Sequence, residues 1–116
     1  MNLIWSIVHF DDLSVNQLFD LLSLRTEVFI VEQNCPYQDA DEKDRKSYHV
    51  MGYDKRNKLM AVSRVLPPGI SYSEISIGRI ATSLEHRNKK YGHEMMQVCI
   101  GYIYRKFGKN PIRISA

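Results

Sequence analysis

A strand, a loop of basic residues and a helix follow one another directly between Glu74 and Phe107, and this unit constrains the fold more than any other segment. Apolar and polar residues alternate from Glu74 to Thr82, which predicts a strand with Ile75, Ile77, Arg79 and Ala81 on one face. Gly78 lies inside that strand. A glycine in such a place indicates a β-bulge or a close approach of another backbone.

The segments on either side of this unit predict further strands and one more helix. The predicted strands are Leu3–Phe10, Ser47–Tyr53, Lys58–Leu66 and Pro111–Ala116, with a hairpin turn between the second and the third. Residues 33–44 carry Pro36 and four acids, and they predict a loop. The order β-α-β-β-β-α-β predicts a single α/β domain over residues 1–116 with a mixed sheet.

The first helix has a clear start signal. Ser14 followed three residues later by Gln17 predicts a capping box. An i, i+3, i+4, i+7 pattern of apolar residues follows, which predicts that the buried face is formed by Val15, Leu18, Phe19 and Leu22.

Composition excludes several classes of function. The chain has 44% hydrophobic and 25% charged residues, a net charge of +3 and two cysteines, Cys35 and Cys99, in 116 residues. Such a small charge does not indicate a nucleic-acid partner, and neither cysteine has metal-ligand spacing, so no metal is expected. The first apolar run is too short for a membrane helix and lacks a basic flank. We therefore expect a cytoplasmic protein without a membrane partner.

The basic loop before the second helix is the strongest candidate for chemistry. Unpaired N–H groups at a helix start favour a phosphate, and here Arg87, Lys89 and Lys90 would add positive charge, while Gly92 would let the backbone approach the ligand. A solvated basic turn explains the same residues equally well. The spacing alone leaves both interpretations open.

The residues Arg87 to His93 resemble the R/Q-x-x-G-x-G/A signature of the GNAT acetyltransferases. Arg87 matches the opening residue and Gly92 the second glycine, while Lys90 stands where the first glycine belongs. The block Arg25–Tyr37, the acids that follow it, and the segments Arg64–Gly69 and Ile77–Ile80 are similar to the ElaA-like subgroup of that superfamily. The resemblance implies the GNAT fold, a mixed and mostly antiparallel sheet flanked by helices, which ends here at about the fifth strand.

The resemblance also implies a reaction. Acetyl-CoA would be the co-substrate, and a primary amine of a small molecule or peptide would attack it directly. The pantetheine arm would pair with the backbone of Ile80, Ala81 and Thr82. The diphosphate would rest on the loop formed by Arg87, Asn88, Lys89, Lys90, Tyr91, Gly92 and His93.

An attacking amine must lose a proton, and three residues are candidates for the base. Glu32 ends the first helical region, His49 lies on the second strand, and Glu74 opens the fourth. Each has a structural alternative: an ion pair for Glu32, a core histidine for His49 and an exposed strand end for Glu74. The acids of residues 39–44 could attract a cationic amine, although a solvated loop is the interpretation that we favour.

GNAT domains usually continue beyond the fifth strand, and this resemblance implies a chain truncated at its C-terminus. A trimmed fragment, a natural truncation and a homodimer in which a partner completes the sheet are three explanations, of which a shortened form of a longer enzyme is favoured. The alternative to an enzyme is a non-catalytic module with the GNAT fold that binds CoA or another protein.

Overall fold

The computed structural model describes residues 3–84 and 90–115 of the chain. Its centre is a five-stranded sheet in the order β1-β2-β3-β4-β5, whose first four strands are antiparallel and whose last pair is parallel. The strands are β1 (Ile4–His9), β2 (Tyr48–Tyr53), β3 (Leu59–Leu66), β4 (Ile75–Thr82) and β5 (Ile112–Ile114). This sheet confirms the predicted mixed, mostly antiparallel architecture.

Two helices cover opposite faces of the sheet. Helix α1 (Val15–Arg25) continues directly into a π-helical segment, Thr26–Glu32, and both pack on one face. Helix α2 (Tyr91–Phe107) packs on the other face through Tyr91, Met95, Cys99 and Ile103, one residue per turn. The two apolar clusters are therefore separated by the sheet, and each buries several large side chains, at about 1.5–3 kcal/mol for each.

The start of α1 is as predicted, but its buried face is only partly so, since Leu18 and Leu22 pack against the core and Val15 and Phe19 do not. Ser14 Oγ accepts from Gln17 N at 3.0 Å, and Gln17 Oε1 accepts from Ser14 N at 2.9 Å, which confirms the capping box. Val15 and Phe19 are 84% and 70% exposed, whereas the buried residues are Leu21, Leu24, Arg25 and, in the next segment, Val28. The helix has two apolar lines, and the line that includes a buried arginine is the one that faces the sheet.

Strand β4 contains the bulge that its glycine predicts. Arg64 lies opposite Gly78, and Val62 lies opposite Ala81, so Arg79 and Ile80 together face only one residue of β3. Arg79 has a left-handed backbone, with φ of 49°. The extra residue reverses the alternation, so Ile75 and Ile77 pack with α2 while Ala81 packs with α1. The prediction that these residues share one face was therefore wrong.

Within the described ranges, no helix is long and apolar enough to cross a bilayer.

Candidate functional site

The bulge in β4 lies just beyond the three residues that pair with β5. Ile75–Ile77 pair with Ile112–Ile114, and Ser115 N donates to Ile77 O at 2.9 Å. A Cβ at Gly78 would lie 3.6 Å from Ser115 Cβ, so Ser115 lies alongside Gly78. Strand β4 then continues through the bulge to Thr82 beside β3.

Helix α2 begins with an unusual backbone. Its N-cap is Lys90, which has a left-handed conformation with φ of 60° and ψ of 31°, and Lys90 O accepts from Glu94 N at 3.2 Å. A residue with a side chain loses about 1–2 kcal/mol in that conformation relative to the right-handed one. The first N–H groups of α2, from Tyr91 onward, have no acceptor within the helix and are available to an anion.

A cavity of about 560 Å³ lies on the α1 face of the sheet, and Ser115, which follows β5, is among the residues that line it. Its floor is formed by β3 and β4. The floor residues are Arg64, Leu66, Ser76, Gly78, Arg79 and Ile80. Since Gly78 carries no side chain, only backbone forms this part of the floor.

Two regions distant in sequence form the walls of this cavity. They are the π-helical segment with the loop that follows it, and the connection between β3 and β4. The wall residues include Phe29, Gln33, Tyr37, Asp41, Lys43 and Tyr72. The cavity is therefore mainly polar and carries both charge signs, as a site for a polar ligand requires.

The loop is held in place by a closed ring of ion pairs, the Arg–Asp ring. Arg25 binds Asp39 (Nε–Oδ2, 2.7 Å) and Asp44 (Nη1–Oδ1, 2.8 Å). Arg64 binds Asp44 (Nη1–Oδ1, 2.9 Å) and Asp41 (Nη1–Oδ1, 2.7 Å). The guanidinium of the third arginine, in the β4 bulge, closes the ring.

This third arginine is Arg79, whose Nε donates to Asp39 Oδ1 at 2.8 Å and whose Nη2 lies 3.4 Å from Asp41 Oδ2. Each aspartate thus contacts two arginines and each arginine two aspartates, so the six charges cancel. Asp39 and Asp44 are buried, and the expectation of a solvated acidic loop was therefore wrong. Burial of these acids is feasible because each is paired and hydrogen-bonded.

The ring also fixes the ionisation of its carboxylates. Burial alone would raise the pKa of Asp44, but the hydrogen bond and charge of Arg25, with further bonds from Asp41 N and Arg64, lower the pKa to about 2. Burial likewise opposes ionisation of Asp41, and the adjacent Arg64 guanidinium nevertheless lowers the pKa of that carboxyl. Both groups are ionised at neutral pH.

Comparison with known proteins gives the family. No family model matches the chain. A UPF0039 protein of Synechocystis is 37% identical over 116 residues, which is all of this chain and 75% of that protein. The ElaA protein of Escherichia coli is 36% identical over 114 residues, 97% of this chain and 74% of that protein. The chain belongs to the ElaA-like group of the GNAT superfamily.

Solved structures agree with this ElaA-like assignment. An acyl-CoA N-acyltransferase of Pseudomonas aeruginosa superposes with a TM-score of 0.91 at 36% identity, over 98% of this chain and 79% of that one. The crystal structure of E. coli ElaA gives a TM-score of 0.90 at 34% identity, over 98% and 78% of the two chains. These neighbours confirm the GNAT fold and support acyl transfer as the general kind of function.

The three base candidates of this ElaA-like chain lie apart from one another, and none is among the cavity residues. Glu32 is exposed at the end of the π-helical segment, next to the wall residue Gln33. His49 is buried on β2, and its Nε2 donates to Asp44 O at 2.9 Å. Burial lowers the pKa of His49, so the imidazole is neutral at pH 7.

Glu74, the third candidate, precedes β4 and contacts Arg113 of β5, with 3.5 Å between Oε2 and Nη2. The hydrogen bond from its own backbone amide, with the charge of Arg113, lowers the pKa of Glu74, which makes it a weaker base. All three catalytic roles stay predictions.

The residues predicted to bind the co-substrate are only partly described. Ile80 lines the cavity, Ala81 is buried against α1, and Thr82 pairs with Ala61 of β3. Lys90, Tyr91, Gly92 and His93 form the start of α2, whereas Arg87, Asn88 and Lys89 lie outside the described residues. Their binding roles also stay predictions.

Sequence reasoning missed the Arg–Asp ring. Its residues are Arg25, Arg64, Arg79, Asp39, Asp41 and Asp44. Two features of the sequence could have indicated the ring. One arginine lies within the apolar pattern of each of α1, β3 and β4, and several acids lie close together in one loop. Arginine is almost never fully buried without a partner, so three arginines in core patterns call for three buried acids.

Proposed function

We propose that this protein is an acetyl-CoA-dependent N-acetyltransferase. It would move an acetyl group to a primary amine of a small molecule or peptide by direct attack within a ternary complex. The observation that carries the proposal is the bulge of β4 at Arg79 and Ile80, both of which line the cavity on the α1 face of the sheet. A fold neighbour, a predicted acetyltransferase of Clostridium acetobutylicum with a TM-score of 0.62 and 12% identity, was solved with acetyl-CoA.

The residues of the chain fit such a co-substrate in two places. We expect the backbone of Ile80 to Thr82, which follows the bulge of β4, to hold the pantetheine arm as an added strand does. Lys90 has a left-handed backbone, which glycine adopts freely, so the helix start has a conformation that suits the signature glycine although a lysine stands there. The diphosphate would rest on the N–H groups of residues 87–93.

Catalysis requires a neutral amine and a polarised thioester carbonyl. A backbone N–H of the β4 edge would donate to the carbonyl oxygen and stabilise the charge that develops there. Among the three base candidates, Glu32 is favoured because its neighbour Gln33 lines the cavity, and a water molecule would relay the proton. His49 is better suited to a positioning role, since its Nε2–H is committed to the loop at Asp44.

The experiment that tests co-substrate binding is isothermal titration with CoA. The double variant Arg87→Ala, Lys89→Ala removes two positive charges from the loop before α2. The matched control, Arg105→Ala, Lys109→Ala, removes one arginine and one lysine at the other end of that helix. We expect saturable binding that only the first variant loses. Equal binding by the wild type and both variants would contradict the proposed diphosphate site.

A non-catalytic CoA-binding or protein-interaction module is the second candidate. It is favoured by one observation: among the described residues, Asp41 is the one carboxylate that lines the cavity, and Arg64 and Arg79 already engage it. Incubation of the CoA-competent protein with acetyl-CoA and a panel of amines, followed by mass spectrometry, separates the two functions. Acetylated amine supports the enzyme, and unchanged amines with tight CoA binding support the module.

A further inference from the structure

Two buried polar atoms at the cavity lack a hydrogen-bond partner among the described residues. They are Arg64 Nε and Ser76 Oγ. Both residues belong to the cavity floor, and both are at least nine-tenths buried. A buried polar group without a hydrogen-bond partner is destabilising. A ligand that forms hydrogen bonds with both groups removes this cost, which makes its binding more favourable.

The positions of these atoms place them on one face of the sheet. Arg64 lies opposite Gly78, and Ser76 lies opposite Leu66. Arg64 and Ser76 are therefore diagonal neighbours across β3 and β4, a spacing that a long side chain can bridge. Gly78, directly opposite Arg64 and two residues from Ser76, has no side chain.

The hydrogen bonds that Arg64 already makes show which of its N–H groups is left without a partner. Its Nη1 donates to Asp41 and Asp44, and its Nη2 donates to Asp41. The Nε–H is thus the part of the guanidinium that the Arg–Asp ring leaves unpaired. A hydroxyl can also donate, so Arg64 and Ser76 offer two donors to a single ligand.

The charge of the cavity favours an anionic ligand group. Asp41 is the acidic residue of the described lining, and Arg64 and Arg79 already neutralise it. Lys43 also lines the cavity, is exposed, and makes no ion pair within the described residues. The charge left without compensation is therefore positive, and charge-assisted bonds to an anionic oxygen are the strongest that these donors can form.

We propose that the acceptor amine also carries an anionic oxygen group, which Arg64 Nε and Ser76 Oγ bind with the help of Lys43. Amino acids, peptides with a carboxylate near the amine, and amino phosphates share this chemistry. The inference rests on the proposed function, because it names the substrate class of the same cleft.

Turnover of matched amines tests the class. With acetyl-CoA, 4-aminobutyrate is compared with butylamine, and O-phosphoethanolamine with ethanolamine. We expect kcat/KM to be at least about tenfold higher for one or both anionic members, a difference that a single charge-assisted contact supplies. The two pairs distinguish a carboxylate from a phosphate. Acetylation of the neutral amines at equal or higher rates would overturn the inference and leave the proposed function intact.

Binding tests the site without catalysis. The Nε–H signals of the arginines are followed by nuclear magnetic resonance in CoA-saturated protein during titration with N-acetylglycine or its neutral isostere, N-acetylglycinamide. We expect a saturable shift with the acid and an affinity about tenfold weaker for the amide. Equal affinities, or no binding of either compound, would overturn the inference. Binding of the acid without turnover of any amine would keep the anion site and exclude the proposed enzyme.

Matched variants connect the affinity to the named residues. Ser76→Ala and Lys43→Gln should each weaken N-acetylglycine binding about three- to tenfold. Ser73→Ala and Lys46→Gln lie outside the cavity on the neighbouring segments and should leave the affinity unchanged. Unchanged affinity in Ser76→Ala would refute the proposed contact, and since this variant only removes an unpaired hydroxyl, it should fold as the wild type does.

Discussion

Arg64 on β3 and Gly78 on β4 lie directly opposite each other, one residue before the bulge of β4. The long guanidinium side chain thus faces a position without a side chain. This pairing keeps the cavity floor open and at the same time brings Arg64 to the Arg–Asp ring.

Enlarging Gly78 should close the cleft without harming the fold. A Cβ at this position would have Ser115 Cβ as its nearest neighbour, at 3.6 Å, so Gly78→Ala fits and should bind CoA normally. Gly78→Leu would extend from the sheet into the cavity and should lower CoA affinity about tenfold or more. Thermal unfolding serves as the fold control, since a strand glycine is itself slightly destabilising. Wild-type CoA affinity in the leucine variant would contradict the assigned cleft.

Replacing the N-cap of α2 should stabilise the protein. Lys90 has φ of 60°, a conformation that glycine adopts freely, so Lys90→Gly should raise the free energy of unfolding by about 1 kcal/mol. Chemical denaturation measures the change. Asn57, with φ of 63° in an exposed turn, is the matched control, because asparagine already tolerates this backbone and Asn57→Gly should gain less. An equal gain at both sites would show that left-handed strain at Lys90 is not the cause.

The Arg–Asp ring should make the protein sensitive to acid. The pKa of Asp44 is about 2 in the folded chain and about 3.8 in an unfolded one, so the stability it contributes is present above pH 4 and is lost as the pH falls toward 2. That contribution is about 2 kcal/mol. Denaturation curves between pH 2 and 6 measure it.

The variant Asp44→Asn tests this assignment to the ring. It leaves Arg25 and Arg64 short of a counter-charge and should lose about 3–5 kcal/mol at pH 7, with a flatter dependence on pH below 4. Asp12→Asn, at an exposed acid outside the ring, should leave the curve unchanged. A pH profile of Asp44→Asn parallel to that of the wild type would mean that another group causes the acid sensitivity.

The two thiols should differ in reactivity. Cys35 is exposed, whereas Cys99 is buried in α2 beside Ser63, and burial raises the pKa of the Cys99 thiol. A colorimetric disulfide reagent should therefore modify one thiol per native chain and two after unfolding. In Cys35→Ser the native chain should give no signal, and this variant is the suitable background for measuring release of CoA. Rapid modification of Cys99 in native Cys35→Ser protein would contradict its burial.

The order of elements and the bulge were predictable because each depends on a local signal. Gly78 within an alternating strand indicated the bulge, and Ser14 with Gln17 indicated the start of α1. The faces of these elements were less predictable. The single extra residue at Arg79 reverses the alternation, and its exact place depends on the pairing with β3 rather than on the local sequence.

The Arg–Asp ring was not predicted because its partners are 14 to 40 residues apart in the chain. From sequence alone, an arginine within an apolar pattern is expected at the exposed edge of the buried face, unless the acid that pairs with it is known. For the same reason Val15 and Phe19 were expected to be buried in place of Leu21 and Arg25. The local apolar pattern was enough to predict that a helix forms. Which side of the helix faces the sheet depends on the acids that pair with Arg25, and these are distant in sequence.

The closed form of the ring has a consequence for how this sequence can diverge. In an open chain of ion pairs a terminal residue can be lost at the expense of one contact, but a ring has no terminal member. Replacement of any one member by a neutral residue breaks two ion pairs and leaves the ring with an unbalanced charge. Substitutions at these six positions should therefore arise as compensating pairs, so that the sites of the ring vary together among relatives.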